Sequence, residues 1–172
     1  MKNFMMFLLL AQLLAGCTTF TQIRLDAEVD RRCREDGGLK IYETVPTAPE
    51  NFDKYGDLKF FDITQHENAL GPEYRFIDKD TFYYGGWAAP NQTGGLLSPS
   101  MRQAHYQVIR RADGKLLGET ISYHRYGGDP GWATTLTPGA PESSYVCPEK
   151  GTSPFTLVKS IFINTAKTGS KP

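Results

Sequence analysis

With 172 residues, 12% of them aromatic, and with 17 Gly and 11 Pro, the chain can build one domain with a real core. Its composition suits short strands and long loops better than a helical bundle. Lys and Arg balance Asp and Glu at 19 each, which excludes a global electrostatic pull toward nucleic acid or anionic lipid.

The N-terminus has a tripartite layout. Lys2 supplies a positive start, Phe4 to Leu14 is nearly all apolar with Gln12 the one interruption, and the small residues Ala15 and Gly16 follow. This is the pattern of a secretory signal peptide. The apolar run of about 11 residues is too short for a hydrocarbon core that needs about 20. Where a small-residue cleavage site would end such a signal, a cysteine stands instead. Leu14-Ala15-Gly16-Cys17 resembles the lipobox of bacterial lipoproteins. The resemblance implies a signal peptide over residues 1–16, a diacylglycerol on the Cys17 thiol and a mature chain from Cys17 to Pro172, the new amine being open to acylation as well. More than one acyl chain on one residue meets the requirement for stable anchoring. Thr18, not Asp, follows the cysteine. By the same resemblance this favours the periplasmic face of the outer membrane in a two-membrane host. With Lys2 removed, the basic residues number one fewer than the acidic, a net charge near −1.

Cys33 and Cys147 then remain. In an exported chain an even pair reads as a disulfide. Zinc is the alternative, but it wants four closely spaced ligands, and neither cysteine has a Cys or His neighbour in sequence.

Thr18 to Asp36 reads as a helix, with threonine caps available at its start and Gly37-Gly38 as the stop. Leu25, Val29 and Cys33 share one face and should dock on the domain. Phe20, Ile23 and Ala27 form a second partial stripe, open either to packing or to the lipid surface. Arg31, Arg32 and Arg34 form a basic cluster that suggests lipid head groups or a ligand anion, but Asp30, Glu35 and Asp36 interleave with them, which points instead to pairs within the helix on a solvated face. The stretch Cys33 to Val45, with its Asp36-Gly37-Gly38 turn into a strand, resembles uncharacterised proteobacterial lipoproteins, a likeness that carries no activity.

Beyond the helix, alternation predicts a strand over Lys40 to Val45 ended by Pro46, and a second over Leu58 to Ile63. His66 to Pro72 reads as a loop. Tyr74 to Tyr84 reads as a hairpin turning at Asp78-Lys79-Asp80. Met101 to Tyr126 reads as a longer hairpin with Asp113-Gly114 as a two-residue loop. That register puts Tyr106 opposite Ile121 and Val108 opposite Glu119. Ala104, Tyr106, Val108, Leu117, Ile121 and Tyr123 then form the core side, and Gln103, His105, Gln107, Thr120, Ser122 and His124 the polar side. Phe155 to Asn164 reads as a strand, although Ser153-Pro154 could cap a helix there instead. A frayed tail is expected from about residue 165. The fold class is α+β: an N-terminal helix clipped by a disulfide to a mainly antiparallel sheet with long loops, in a single domain over residues 17–172.

Two constellations are candidate sites. His105 and His124, diagonal on one strand face with Gln107 beside them, could hold a metal or relay a proton. A solvated strand face that happens to carry histidines is the better explanation, since two ligands on a flat face make a weak site and His66 is the only other imidazole. Tyr83, Tyr84 and Trp87, joined by Trp132, form an aromatic patch that could stack on a sugar or a partner side chain; core packing competes for the same residues. There is no nucleophile elbow, phosphate-binding glycine motif or identifiable carboxylate pair, so no cofactor and no metal is expected and the balance leans away from an enzyme. The expected partners are the membrane, through the lipid, and an envelope protein or glycan, with no nucleic acid. A binding or structural module leads, an accessory subunit of an envelope or secretion assembly follows, and a small envelope enzyme using the face of His105 and His124 comes last.

Overall fold

The computed structural model describes residues 20–84, 99–127 and 143–168. It is α+β, with a mostly antiparallel sheet and a helix tied to it by a disulfide. Helix α1 covers residues 20–36. Strands β1 (Gly38–Ile41), β2 (Val45–Thr47), β3 (Tyr74–Tyr84), β4 (Ser100–Arg110), β5 (Leu116–Tyr126) and β6 (Ser144–Cys147) follow. Helix α2 (Pro154–Ile161), strand β7 (Phe162–Asn164) and the single-turn helix α3 (Thr165–Thr168) complete the order. The main sheet runs β1-β5-β4-β3, with β6 also on β5, while β2 and β7 form a separate parallel pair. The chain divides into two compact units. One takes residues up to Glu35, Thr81–Gln103 and Tyr123–Cys147; the other takes Asp36–Asp80, Ala104–Ser122 and the residues from Pro148 on.

In the first unit, α1 docks as its period requires. Leu25 and Val29 are buried, and Cys33, one turn further on the same face, is bonded to Cys147 with Cα atoms 5.9 Å apart. A polar rail runs beside this stripe at the same four-residue spacing. Gln22 Nε2 donates to Ser143 Oγ at 2.9 Å, Asp26 pairs with Arg125, and Asp30 accepts from the Tyr145 hydroxyl at 2.7 Å. The rail fixes α1 to β5, to β6 and to Ser143, which leads into β6; β6 itself pairs antiparallel with Tyr123–Tyr126. The expected pairs within the helix form around Glu28 and Glu35, which hold Arg31, and around Glu28, which also holds Arg32. Asp30 is used differently, on Tyr145.

The second unit is built around α2. Ser153 caps it by accepting from the Thr156 N–H at 3.1 Å, and Pro154 opens the first turn, where its missing N–H costs nothing. Leu157, Val158 and Ile161 are buried together with Phe162, Phe76, Val108 and Leu117. Each such side chain contributes roughly 2 kcal/mol by leaving water. The strand expected over Phe155 to Asn164 is therefore corrected to a helix followed by three strand residues. Leu157 and Ile161 stand four apart, a spacing that fits a helix face as well as strand alternation, and the Ser-Pro cap decides. Gly118 makes room for this packing: a Cβ there would lie 3.0 Å from Ile161 Cδ1 and 3.0 Å from the Lys40 carbonyl oxygen.

Other expectations change for local reasons. The strand over Lys40 to Val45 is broken by a bulge, in which Tyr42 and Glu43 both donate their N–H to the Leu117 carbonyl, two residues opposite one. Pro46 ends no strand; it lies inside β2, whose neighbour is β7. Leu58 to Ile63 forms no strand: Leu58 makes one isolated bridge with Phe52, and Ile63–Asn68 is a 3-10 turn. Tyr74 to Tyr84 is one continuous strand without the turn expected at Asp78-Lys79-Asp80. The hairpin of β4 and β5 is present, but its loop has four residues, closed by the Arg110 N–H on the Lys115 carbonyl, with Gly114 at positive φ. Glu119 lies with His105 and Gln107 and not opposite Val108 on the core side. Thr120 and Ser122, expected on a solvated face, are buried, as are Ile121 and Tyr123. Four consecutive buried residues mean that this part of β5 is covered on both faces, and such a strand loses the in-out alternation of a half-exposed one. Where fraying was expected from residue 165, α3 forms one turn, and the Thr165 hydroxyl donates to the Thr47 carbonyl.

Candidate functional site

The first unit carries a groove of about 580 Å³, lined among the described residues by one flank of α1 and by Tyr83, Tyr84 and Met101. The volume falls in the range of small-molecule sites. On the helix side, positions 20, 24, 27 and 31 follow the 3–4 residue spacing of one face and bring Phe20, Arg24, Ala27 and Arg31 to the groove. Buried Leu25 and Met101 are part of its apolar lining.

Three contacts position the Tyr83 wall. Its ring lies under the Arg32 guanidinium, 3.9 Å from carbon to ring centroid, and beside Tyr123. Its hydroxyl donates to Gln103 Oε1, and Gln103 Nε2 donates to the Tyr123 hydroxyl at 2.7 Å. Arg32 is in turn oriented by Glu28, which also takes Arg31. The hydrogen bond from Arg31 is the largest influence on Glu28. With Arg32 and the charges of both it outweighs burial and holds the carboxyl at about 2, so Glu28 is ionised at any physiological pH. Arg24 has no acidic partner among the described residues. Tyr84 is half exposed and contributes its ring to the lining. Of the predicted aromatic patch, Tyr83 and Tyr84 thus line one groove, while Trp87 and Trp132 lie outside the described residues, as does Cys17. Sequence reasoning missed Arg24, Phe20 and Gln103. The apolar stripe at Phe20 and Ile23 was visible; that Phe20 shares a groove with Tyr83 and Tyr84 depends on the tertiary structure.

The second unit holds a separate polar cluster. Glu119 accepts from the Tyr42 hydroxyl at 2.7 Å and from Gln107 Nε2 at 3.3 Å, and lies 2.8 Å from His105 Nε2. The bulge at Tyr42 and Glu43 lies beside this cluster. His105 and Gln107 are thus brought together, on a carboxylate that sequence reasoning had placed elsewhere. His124 belongs to the first unit, where its ring stacks on Tyr126. His66 sits on the exposed Ile63–Asn68 turn with φ 51°. Among the described residues no three His, Cys, Asp or Glu side chains are grouped to hold a metal ion.

Burial is the largest influence on Glu119 and pushes its carboxyl up. The hydrogen bonds from Tyr42, His105 and Gln107 outweigh it together, and the net direction is down. A carboxyl depressed in the folded state adds stability above its unfolded pKa and loses it as pH falls through the folded one. The wild type should therefore exceed Glu119→Gln in stability at neutral pH, and the gap should close on acidification below the ordinary carboxylate range. Urea melts of both proteins between pH 7 and pH 3 check this; a gap independent of pH would contradict it.

No helix among the described residues is long and apolar enough to cross a membrane. The chain matches no protein-family model, no curated protein and no solved structure.

Proposed function

We propose that the chain is a lipid-anchored lipoprotein of the bacterial cell envelope whose folded part is a binding module, with the groove between α1 and the Tyr83–Tyr84 pair as its ligand site. The anchor rests on Leu14-Ala15-Gly16-Cys17 and the apolar run before it. Thr18 supports the periplasmic face of the outer membrane in a two-membrane host. The binding role rests on one observation above all: aromatic and guanidinium groups converge on a groove of ligand size, with Tyr83 and Arg32 locked in place. Preorganised polar groups among apolar walls are what a specific site needs. A docking role in a larger envelope assembly draws support from Tyr55 and Phe155, both more than half exposed in the second unit.

Cys17→Ser should abolish labelling by a radioactive fatty acid and leave an uncleaved precursor; label retained on the mutant would refute the anchor. The groove is tested with the purified lipoprotein against three separate envelope fractions: phospholipid, peptidoglycan fragments and lipopolysaccharide. Saturable binding of one fraction, weakened in Tyr84→Ala, is expected. Saturable binding of none would overturn the binding role.

A further inference from the structure

We propose that the groove of the first unit receives the phosphate of an anionic phospholipid from the membrane that holds Cys17, with Arg24 as its principal ligand and Arg31 as the second. The inference rests on the lipid-anchor reading and gives the groove its ligand class.

The charges in the groove are unequal in their commitments. Arg24, Arg31 and Arg32 line it against one carboxylate, Glu28. Arg32 is fixed between Glu28 and the Tyr83 ring and serves as wall. Arg31 shares itself between Glu28 and Glu35. Arg24 is exposed and has no acidic partner among the described residues. Its planar fork matches the oxygens of a phosphate better than an ammonium does. Glu28 stays ionised but is neutralised by two guanidiniums, so the groove keeps a net positive lining.

The position of the groove selects a lipid over a soluble anion. Phe20 and Ile23 are 72% and 62% exposed, and Phe20 lines the groove on the same face as Arg24. Phe20 follows Cys17 by three positions, a reach of about 11 Å at full extension. An acylated Cys17 therefore keeps this end of α1 within reach of the head groups, whose layer is roughly 5–8 Å deep on each side of the core. Large apolar side chains beside an arginine are the composition of an interfacial surface. Phe20 and Tyr84 would meet the glycerol and the first acyl carbons while Arg24 meets the phosphate. The near-zero net charge of the chain makes this a local recognition, not general adsorption.

The test uses the full lipidated protein in nanodiscs, either purely phosphatidylcholine or with a minority of phosphatidylglycerol, read by hydrogen exchange of peptides from residues 20–32. Protection should rise with phosphatidylglycerol. Arg24→Ala should cut that rise by about fivefold, the weight of one basic residue at an anionic surface. Arg24→Lys should retain part of it. Unchanged exchange over residues 116–126 shows that the variants are folded. Equal protection in both discs, or a rise unaffected by Arg24→Ala, would overturn the proposal. An equal rise in pure phosphatidylcholine discs on adding millimolar inorganic phosphate would overturn the lipid as the source. Short-chain phosphatidylglycerol added to the detergent-solubilised Cys17→Ser precursor separates the two readings. Saturable binding weakened by Arg24→Ala supports the groove even if labelling has refuted the anchor; no binding there, with the anchor intact, refutes the lipid ligand alone.

Discussion

Cys33→Ser should lower the unfolding free energy of the first unit by as much as about 5 kcal/mol, the chain-entropy value for its loop. The two cysteines lie 114 positions apart in sequence, and the loop they close is long enough that reduction frees a large unfolded ensemble. The value is an upper estimate, because a reduced chain keeps residual structure that the entropy model ignores. Against a typical total of 5–15 kcal/mol, even half of it would change the folded population severely. The loss should be local at first. α1 keeps its rail of Gln22, Asp26 and Asp30 without the disulfide, so exchange protection over residues 26–36 should fall before that over residues 154–162. Urea melts with and without reductant, and exchange on the same samples, measure both. A loss under about 1 kcal/mol would mean that the rail alone fixes the helix.

What the sequence made legible follows from how many constraints act on each residue. Cys33 and Cys147 were readable by elimination, since the stretch Leu14 to Cys17 reserves the first cysteine for the expected lipid and the sequence holds only these two others. Leu25, Val29 and Cys33 were readable because helical period and disulfide agree on one face. The hairpin at Asp113-Gly114 was readable as a turn, but its loop is four residues long, since Gly114 takes the positive φ while Arg110 closes on Lys115. Phe155 to Asn164 was misread because apolar positions four apart satisfy both periods. Tyr74 to Tyr84 was misread because the charged triplet Asp78-Lys79-Asp80 looks like a turn, whereas on an edge strand charges are tolerated and useful. Tyr83 and Tyr84 were readable as an aromatic pair, but only the tertiary structure sets Arg32 over Tyr83 and brings Arg24 to the same groove. His105 was readable as a polar-face residue; Glu119 beside it was not, because an assumed register had placed it elsewhere.

Arg125 is the residue least visible in the sequence and among the most consequential in the fold. Its side chain is 4% exposed and pairs with Asp26 at 2.6 Å. Its Nη1 donates to the Gly127 carbonyl, the Ser143 carbonyl and Ser143 Oγ, so one guanidinium ties β5 to the segment before β6 and to α1. Asp26→Ala removes the counter-charge and leaves a buried cation. Breaking one side of such a pair costs about 3–5 kcal/mol, and the lower end, about 3 kcal/mol, is expected here because three neutral acceptors remain and Asp26 is itself partly exposed. The double variant combining Asp26→Leu with Arg125→Met should lose much less, since no charge is then stranded and an apolar pair of similar volume fills the space. A cycle of urea melts over Asp26→Leu, Arg125→Met and the double decides. A double variant as unstable as the two single losses added together would show that Asp26 and Arg125 act independently, and that the rail along α1 is held by Gln22, Asp30 and the disulfide instead.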